Sequence, residues 1–571
     1  MQTPSANPIC SIDIYMLEGG RYTLNEAQVL ECTVQKDLRD SGGSASIILA
    51  PGGPNGQNFP SWSQIVTLQS LVVIAMQRGD QSNVVFVGIV RSVEEDQQWQ
   101  SETGVTRNTR IEAMDWGAWC QDFNWSSLAF LAVANGAVEA ALTGAPPEAG
   151  APNTLFGGQQ NSNPAQIGYN WFTGFMGGTK GVLANTQIKY QNHSLLWPQA
   201  TTGFFETYPY GAIFPGSNWY LSQDGTWYQK FSEIFEAPYY ELIVGTAPLG
   251  SWNPALLSNT TSTQVSLKNG GTAEAAFGTS FSSLGLPNAT PALAQITARI
   301  CPVPVLEATA TPFASAIDLS NQPAYQYSGV DVSRWNALPN YTLDATDGFI
   351  ESLVSLGIHD YYNFFILNPT ANKQALGLSS APGIFMYAYS GAINVAGIRR
   401  YGMKSQIRDT LWIADPSFEI AGSSTPNLAT LVADLTNRLA SFYTPLSIME
   451  SATVTTSLLP SVFVGSRFTY SPFRGDEPWQ FYVNAVQHQW KYGGPSTTTV
   501  GLERGLPLSV YSDTSTLMYV VMGQAQRQNG SIIAGLPAGS GPPLQTIGLA
   551  PDSLKTILSQ IALVYGSPGV Q

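Results

Sequence analysis

The residues that could carry chemistry are few, and their spacing limits what they could do. Three histidines, His193, His359 and His488, stand in KYQNHSLLW, LGIHDYYN and FYVNAVQHQW. They form no HExxH pair and no other metal-ligand spacing. His488 shares one face of an alternating strand with Trp490, which is the setting of a structural histidine rather than of a ligand or base. A nucleophile elbow needs GxSxG and a phosphate loop needs GxxxxGK[ST]; the sequence contains neither. Glycoside hydrolysis needs only two carboxylates across a cleft, so EEDQQW and SEIFE leave that chemistry open. Glu94, Glu95 and Asp96 are expected to begin a hairpin loop, where charges are solvated. The aromatics of NWYLSQDGTWY, residues 218–228, could stack on sugars, but core and interface packing is the expectation. Cys10, Cys32, Cys120 and Cys301 are too few and too scattered for a disulfide framework. Cys10 and Cys32 flank an expected hairpin around Gly19 and Gly20 and could lie opposite each other; buried free thiols are the default. No catalytic, metal-binding or cofactor-binding residue is therefore assigned, no cofactor is implied, and the protein is expected not to be an enzyme.

Composition narrows the classes further. A chain of 571 residues should split into about three to five domains. Charged residues make up only 11%, against roughly 25% in ordinary soluble domains. So little charge on so large a chain suggests that partner chains cover much of its surface. The net charge of −14 argues against the wrapping of nucleic acid, which needs clustered basic residues. An acidic surface can still face DNA that slides past without adhering. No run of eighteen apolar residues occurs, so no membrane span is expected, and MQTPSANPIC shows no export signal.

The elements that must position these residues read mainly as strands. SIDIYML, QVLECTVQKDL, ASIILAPGG, SLVVIAMQ, NVVFVGIV and TRIEAMDWG alternate or run apolar between Gly-rich turns, predicting an antiparallel barrel or sandwich over the first 120 residues. SSLAFLAVANGAVEAALTG predicts a helix inside an irregular stretch, and WYQKFSEIFEAPYYELIV a helix ending near Pro238 before a strand. TDGFIESLVSLG and NLATLVADLTNRLASFY are expected to be helical. Strands return in SIMESATVTT, SVFVGSRFTYSPF, WQFYVNAVQHQW and TTTVGLERG, and DSLKTILSQIALVY predicts a C-terminal helix behind the linker AGLPAGSGPP.

One tripeptide ties the two ends together. RGDQSNVVFVGIV, residues 78–90, aligns without gaps with RGDEPWQFYVNAV, residues 474–486, setting Val90 against Val486. Each copy lies between two strands, where Gly relaxes the backbone and Asp supplies a local hydrogen bond. Arg-Gly-Asp is thus expected to be a turn and not a displayed adhesion ligand. The following strands also match, Met114, Asp115 and Gly117 against Leu502, Glu503 and Gly505, with an intervening loop eight residues longer in the first copy. One chain therefore carries two related β modules, and such duplication sets similar surfaces side by side in a quasi-symmetric ring.

FYVNAVQHQWKYGGPSTTTVGLERGLP resembles the closing hairpin of bacteriophage tail baseplate hub proteins, a family related to the type VI secretion spike protein. WYQKFSEIFEAPYYELIV, VVFVGIVRSV with TRIEAMDWG, YYNFFILNP and RRYGMKSQIRDTLWI are similar to other hub segments, so the likeness touches most of residues 10–510. The resemblance implies a homotrimer in which each chain gives two tube-like barrels, making a pseudo-sixfold ring around the DNA channel. It implies a hexameric tail tube docking on one end, a central spike or tip protein on the other, other baseplate proteins around it, and a place in the virion tail baseplate after assembly in the host cytoplasm.

The expected fold is mainly β with α+β insertions: two related antiparallel tube-like β-barrel domains plus inserted helical or irregular domains. Residues 1–120 form the first barrel, 121–224 an irregular or helical insertion, 225–311 a helix–strand part of the second module, 312–440 a mixed α/β insertion, 441–510 the second barrel's hairpins and 511–571 a linker and docking helix. The expected function is that of a structural virion hub serving DNA ejection. The alternative is a cell-wall-degrading or glycan-binding tail protein using residues 121–224.

Overall fold

The structure is a computed structural model. It describes the chain continuously over residues 7–16, 26–53, 60–79, 81–100, 104–122, 347–355, 361–368, 401–409, 449–471 and 477–508, and elsewhere in short segments. The helices expected over 126–144 and 552–565, and most of that over 427–443, lie outside the described residues, as do His359 and the second Arg-Gly-Asp at 474–476. Among the described residues no helix is long and apolar enough to cross a membrane.

A mainly antiparallel, 13-stranded sheet dominates. Its strands are β1 (Ile9–Tyr15), β2 (Arg21–Leu24), β3 (Val29–Asp37), β4 (Ser44–Leu49), β5 (Leu71–Arg78), β6 (Gln81–Gln100), β7 (Gly104–Asp115), β8 (Asn340–Thr342), β9 (Phe349–Ser355), β10 (Glu450–Ser457), β11 (Arg467–Tyr470), β12 (Trp479–Lys491) and β13 (Thr497–Pro507). The path runs β9-β10-β13-β12-β3-β4-β7-β6-β5-β1-β2, with β11 also on β12 and β8 on β11. Strands β1 to β7 roll around one apolar core that includes Ile12, Ile47, Ile74, Phe86 and Ile111. A second core forms from Val454, Phe468, Phe481, Val500 and Leu502 on β10 to β13. Each such side chain, taken fully from water, contributes about 1.5–3 kcal/mol. Alternation explains the arrangement: in β4, and in β13 as far as Glu503, every second residue is buried, which fixes one face on the core and leaves the other open.

The two modules share their strand order, and two of their irregularities recur in both. In β3 the pairing with β4 shifts between Val29 and Glu31, and in β9 the pairing with β10 shifts between Phe349 and Glu351. β6 bulges against β7 between Val90 and Ser92, and β12 against β13 between Val483 and Ala485. Val90 exchanges backbone hydrogen bonds with Gln69 and Ser70, just as Val483 does with Gly465 and Ser466. Val90 is therefore the structural counterpart of Val483, three residues from the Val486 that the gapless alignment selects. The slip is a difference of hairpin length: Ser70 and Val90 are 20 positions apart and Ser466 and Val483 are 17 apart, one of the three extra residues being the β6 bulge opposite Ile74 and Ala75. In the hairpin that follows, the true difference in length is also smaller. Val90 and its partner Ala113 are 23 positions apart, Val483 and Leu502 are 19 apart, and the first hairpin is longer by four residues rather than eight.

Two further expectations change. TDGFIESLVSLG is not helical: Phe349–Ser355 is β9, the edge strand of the second module, because pairing with β10 outweighs helix propensity. Glu94, Glu95 and Asp96 are exposed as expected, but they sit inside the β6–β7 ladder, opposite Arg110, Thr109 and Asn108. The strand expected after Pro238 is present as Tyr240–Pro248, paired with Ala294–Pro302. A separate four-stranded sheet joins Ser405–Asp409, Phe364–Asn368, Ser390–Asn394 and Leu544–Gly548, so the chain beyond AGLPAGSGPP returns to its own middle region.

Candidate functional site

The two modules meet along β3 and β12, and this seam is the feature that the fold is built to position. The first part of β12 pairs with β11 of its own module, from Trp479 to Tyr482. The bulges beyond Gln480 and Val483 then twist the strand and free the same edge. Along that edge Ala485–Lys491 pairs antiparallel with Asp37–Glu31 of the first module, His488 standing opposite Val34 and Trp490 opposite Cys32. Leu38 N–H donates to the Asn484 carbonyl at 2.7 Å and Tyr492 N–H to the Leu30 carbonyl at 2.9 Å, closing both ends. The cores interlock across it. Trp490 and Leu458 of the second module are buried in the first core, and Leu38 of the first packs against the second. Trp490 Nε1–H is satisfied by the Pro8 carbonyl at 3.0 Å.

His488 shows why the seam is dry. Its ring is buried, its Nδ1 lies 2.9 Å from Thr498 Oγ1, and it also bonds the Val462 backbone. Thr498 Oγ1 accepts from Leu459 N–H at 2.8 Å, so its hydroxyl proton is free to go to Nδ1. The histidine is thus neutral, and burial pushes its pKa down to about 4. It is structural, as its strand setting implies. His193 lies in a two-residue strand paired with Lys189–Tyr190, far from it in sequence. Among the described residues no group of three His, Cys, Asp or Glu could hold a metal ion.

Arg78, the first residue of the first Arg-Gly-Asp, fastens one module to the other. It pairs with Gln81 across a tight turn, and Gly79 takes φ +58° there, a conformation that favours glycine. Its Nη1 donates to the Asp347 carbonyl at 2.8 Å in the loop before β9, and Asn83 Nδ2 donates to Ser461 Oγ at 2.9 Å. The turn is a latch between modules. Asp80 lies outside the described residues.

Strand Tyr240–Pro248 crosses both modules behind the seam. Buried Glu241 accepts a 2.5 Å hydrogen bond from Tyr482 Oη in the second module. Four residues on, Gly245 lies against the buried Asp115 of the first; a Cβ there would sit 3.1 Å from Asp115 Oδ2. Burial raises the pKa of Asp115, while Lys36 at 3.5 Å and the Gly117 N–H at 3.0 Å oppose that rise. The Arg504 guanidinium caps the Tyr482 ring at 4.3 Å and pairs with Glu503 at 3.3 Å. Cys10 and Cys32 are both buried and free. They do not sit on paired strands, since Cys10 pairs with Met76 and Cys32 with Ile47, but their thiols meet across the first core, where burial pushes the Cys10 pKa well up.

The open face of the sheet has its own chemistry. Ser44, Gln35, Gln487, Thr499 and Thr455 follow one another across five strands and both modules. Ser46, Thr33, Gln489, Thr497 and Ser457 form the next row. Neither row carries a charge within these five strands, but each runs on to a carboxylate, Ser46 pairing with Glu112 on β7 and Thr455 with Glu351 on β9. Lys491 opposite Glu31 adds a balanced pair, and Gln489 Nε2–H donates to Glu31 at 2.8 Å. Such a surface offers hydroxyls and amides but no cluster of cations for phosphates. Alternation in QVLECTVQKD and FYVNAVQHQW marks the two faces of each strand, yet nothing in either sequence says that these strands pair with each other.

No family model matches the chain, and no curated protein matches it. Among solved structures it is similar to a tail protein from Neisseria meningitidis MC58, at 8% identity and TM-score 0.36, covering 87% of this chain and 96% of that one. It is similar to the 43 kDa tail protein of prophage MuSo2 from Shewanella oneidensis, at 8% identity and TM-score 0.37, covering 87% and 98%. It is similar also to the prophage tail protein gp18 from Listeria monocytogenes EGD-e, at 10% identity and TM-score 0.34, covering 90% and 100%.

Proposed function

We propose that this protein is a structural, non-enzymatic component of a phage tail: a baseplate hub whose paired barrels form a ring around the DNA channel. One observation carries the reading. Two repeated modules are fused edge to edge into a single curved sheet, with interlocked cores behind it and in front a Ser/Thr/Gln face bordered by carboxylates such as Glu112 and Glu351. An enzyme has no need of a duplicated wall; a conduit does. A neutral to negative wall in an acidic chain lets a polyanion pass without binding, since adhesion would need cations to replace its counterions. The hub-like segments of the sequence, among them the β12–β13 hairpin, agree with it. The ring is a homotrimer of two-module chains, pseudo-sixfold toward a tail tube and threefold toward a central spike, within the virion baseplate.

Electron microscopy of the purified assembly or of the particle tests this. Threefold views with six barrel lobes around a channel are the expected result. A stable monomer or dimer inside the intact particle, or hydrolysis of purified peptidoglycan by the isolated protein, would overturn it.

A further inference from the structure

The first core holds a pair of reactive groups for which a conduit has no use. Cys10 on β1 and Cys32 on β3 are 1% and 0% exposed and belong to the same core. Their strands are not neighbours in the sheet, so the pair bridges the barrel instead of lying within one ladder. Two contacts bring the strands together at this point. Trp490 stands opposite Cys32 across the seam, and its indole N–H donates to the carbonyl of Pro8, two residues before Cys10. The two thiols themselves meet in a hydrogen bond. Met76 opposite Cys10 and Ile47 opposite Cys32 are buried and apolar, so the register brings no cation to either sulfur.

We propose that Cys10 and Cys32 form a modification site, which a small disulfide such as oxidised glutathione converts into an internal disulfide stapling β1 to the seam strand β3. One cysteine, as thiolate, attacks the small disulfide and expels a first small thiol. The other then attacks the mixed disulfide and expels the second. One S–S bond forms in the chain and one breaks in the oxidant, and the two cysteine protons end on the two released thiols. The folded chain slows this reaction. Only a thiolate attacks, and burial, the neighbouring Cys32 and the charge of Glu26 push the Cys10 pKa well up. Oxidation therefore waits for the start of β1 to lift from Trp490. A reducing compartment keeps the pair as thiols, and an oxidising medium closes it. The bridge would close a loop of about twenty residues and so restrict the unfolded chain. This chemistry is independent of the ring reading.

The test uses the full chain with Cys120→Ser and Cys301→Ser, which leaves Cys10 and Cys32 as its cysteines. After incubation with oxidised glutathione, denaturation and alkylation, both thiols are expected to be lost together, as a linked Cys10–Cys32 peptide without bound glutathione. The oxidised form is expected to unfold roughly 5 °C above the reduced one. Cys32→Ser is expected to abolish that difference, and dithiothreitol makes the same comparison with no substitution in the core. Trp490→Phe keeps a ring in place but removes the N–H that holds Pro8, and is expected to speed the loss of thiols about fivefold. Glutathione retained on a single cysteine, or an oxidised form no more stable than the reduced one, would overturn the staple. So would thiols that iodoacetamide reaches in the folded chain while the oxidant leaves them unlinked. An unchanged rate in Trp490→Phe would overturn the gate at Pro8.

Discussion

Arg78 and His488 each turn a residue type into a measurable property. Arg78 gives a charge-assisted hydrogen bond to the Asp347 carbonyl across the module boundary. Its loss in Arg78→Ala is expected to cost about 1–2 kcal/mol in urea unfolding, as for hydrogen bonds from charged groups. A variant as stable as the parent would show that the latch is idle. His488 is held neutral, with a folded pKa of about 4 against about 6.5 in an unfolded chain. The folded state binds fewer protons between those values. Its contribution is therefore complete above pH 6.5 and is lost as pH falls toward 4, by roughly 3 kcal/mol at most. Urea unfolding at pH 7 and pH 4.5 is expected to show a smaller acid loss in His488→Gln than in the parent. Equal losses would place the acid sensitivity elsewhere.

At the scale of elements, the strands were legible and their partners were not. β3, β4, β12 and β13 announce themselves by two-residue alternation between turn residues, because one face is buried and the other wet. The repeat was legible through Arg-Gly-Asp, but its register slipped by three residues because the hairpin from Ser70 to Val90 is three residues longer than that from Ser466 to Val483. β9 was misread as a helix because Phe349, Ile350, Leu353 and Val354 also satisfy a three-and-four spacing, and only its pairing with β10 decides. The seam could not be read at all, since β3 and β12 stand more than four hundred residues apart. Gly117 shows how closely these elements meet: a Cβ there would lie 2.0 Å from the Ser41 carbonyl oxygen. Gly117→Ala is expected to destabilise the first module by about 2–3 kcal/mol or more, lowering its unfolding midpoint; an unchanged midpoint would mean that this turn yields freely. The C-terminal segment has a nearer role than a free docking arm, because Leu544–Gly548 pairs with Ser390–Asn394. Deleting residues 540–571 is expected to speed hydrogen exchange along Ser390–Asn394 while leaving β12 and β13 protected, and unchanged exchange there would contradict the pairing.

For the whole molecule, an open face without clustered cations is the property that a conduit most needs, and it can be spoiled on purpose. Gln35→Lys with Gln487→Lys adds positive charge at the middle of the seam without touching either core. The assembly is then expected to retain duplex DNA at low salt and to release it as salt rises, whereas the parent retains none. Equal retention by both would mean that this face does not meet DNA. The seam itself has a mechanical consequence. In a ring walled by these strands, hydrogen bonds between neighbours run round the circumference, so pressure from inside loads them as hoop tension. Joints in series carry the same force, and the weakest yields first. Within the chain the joint has seven paired residues, closing bonds at Leu38 and Tyr492, and Trp490 driven into the opposite core. Between chains no connecting backbone holds the two sides together once such bonds yield. An overloaded ring should burst between protomers and shed whole two-module staves, and native mass spectrometry in rising denaturant should record those protomers before either barrel unfolds.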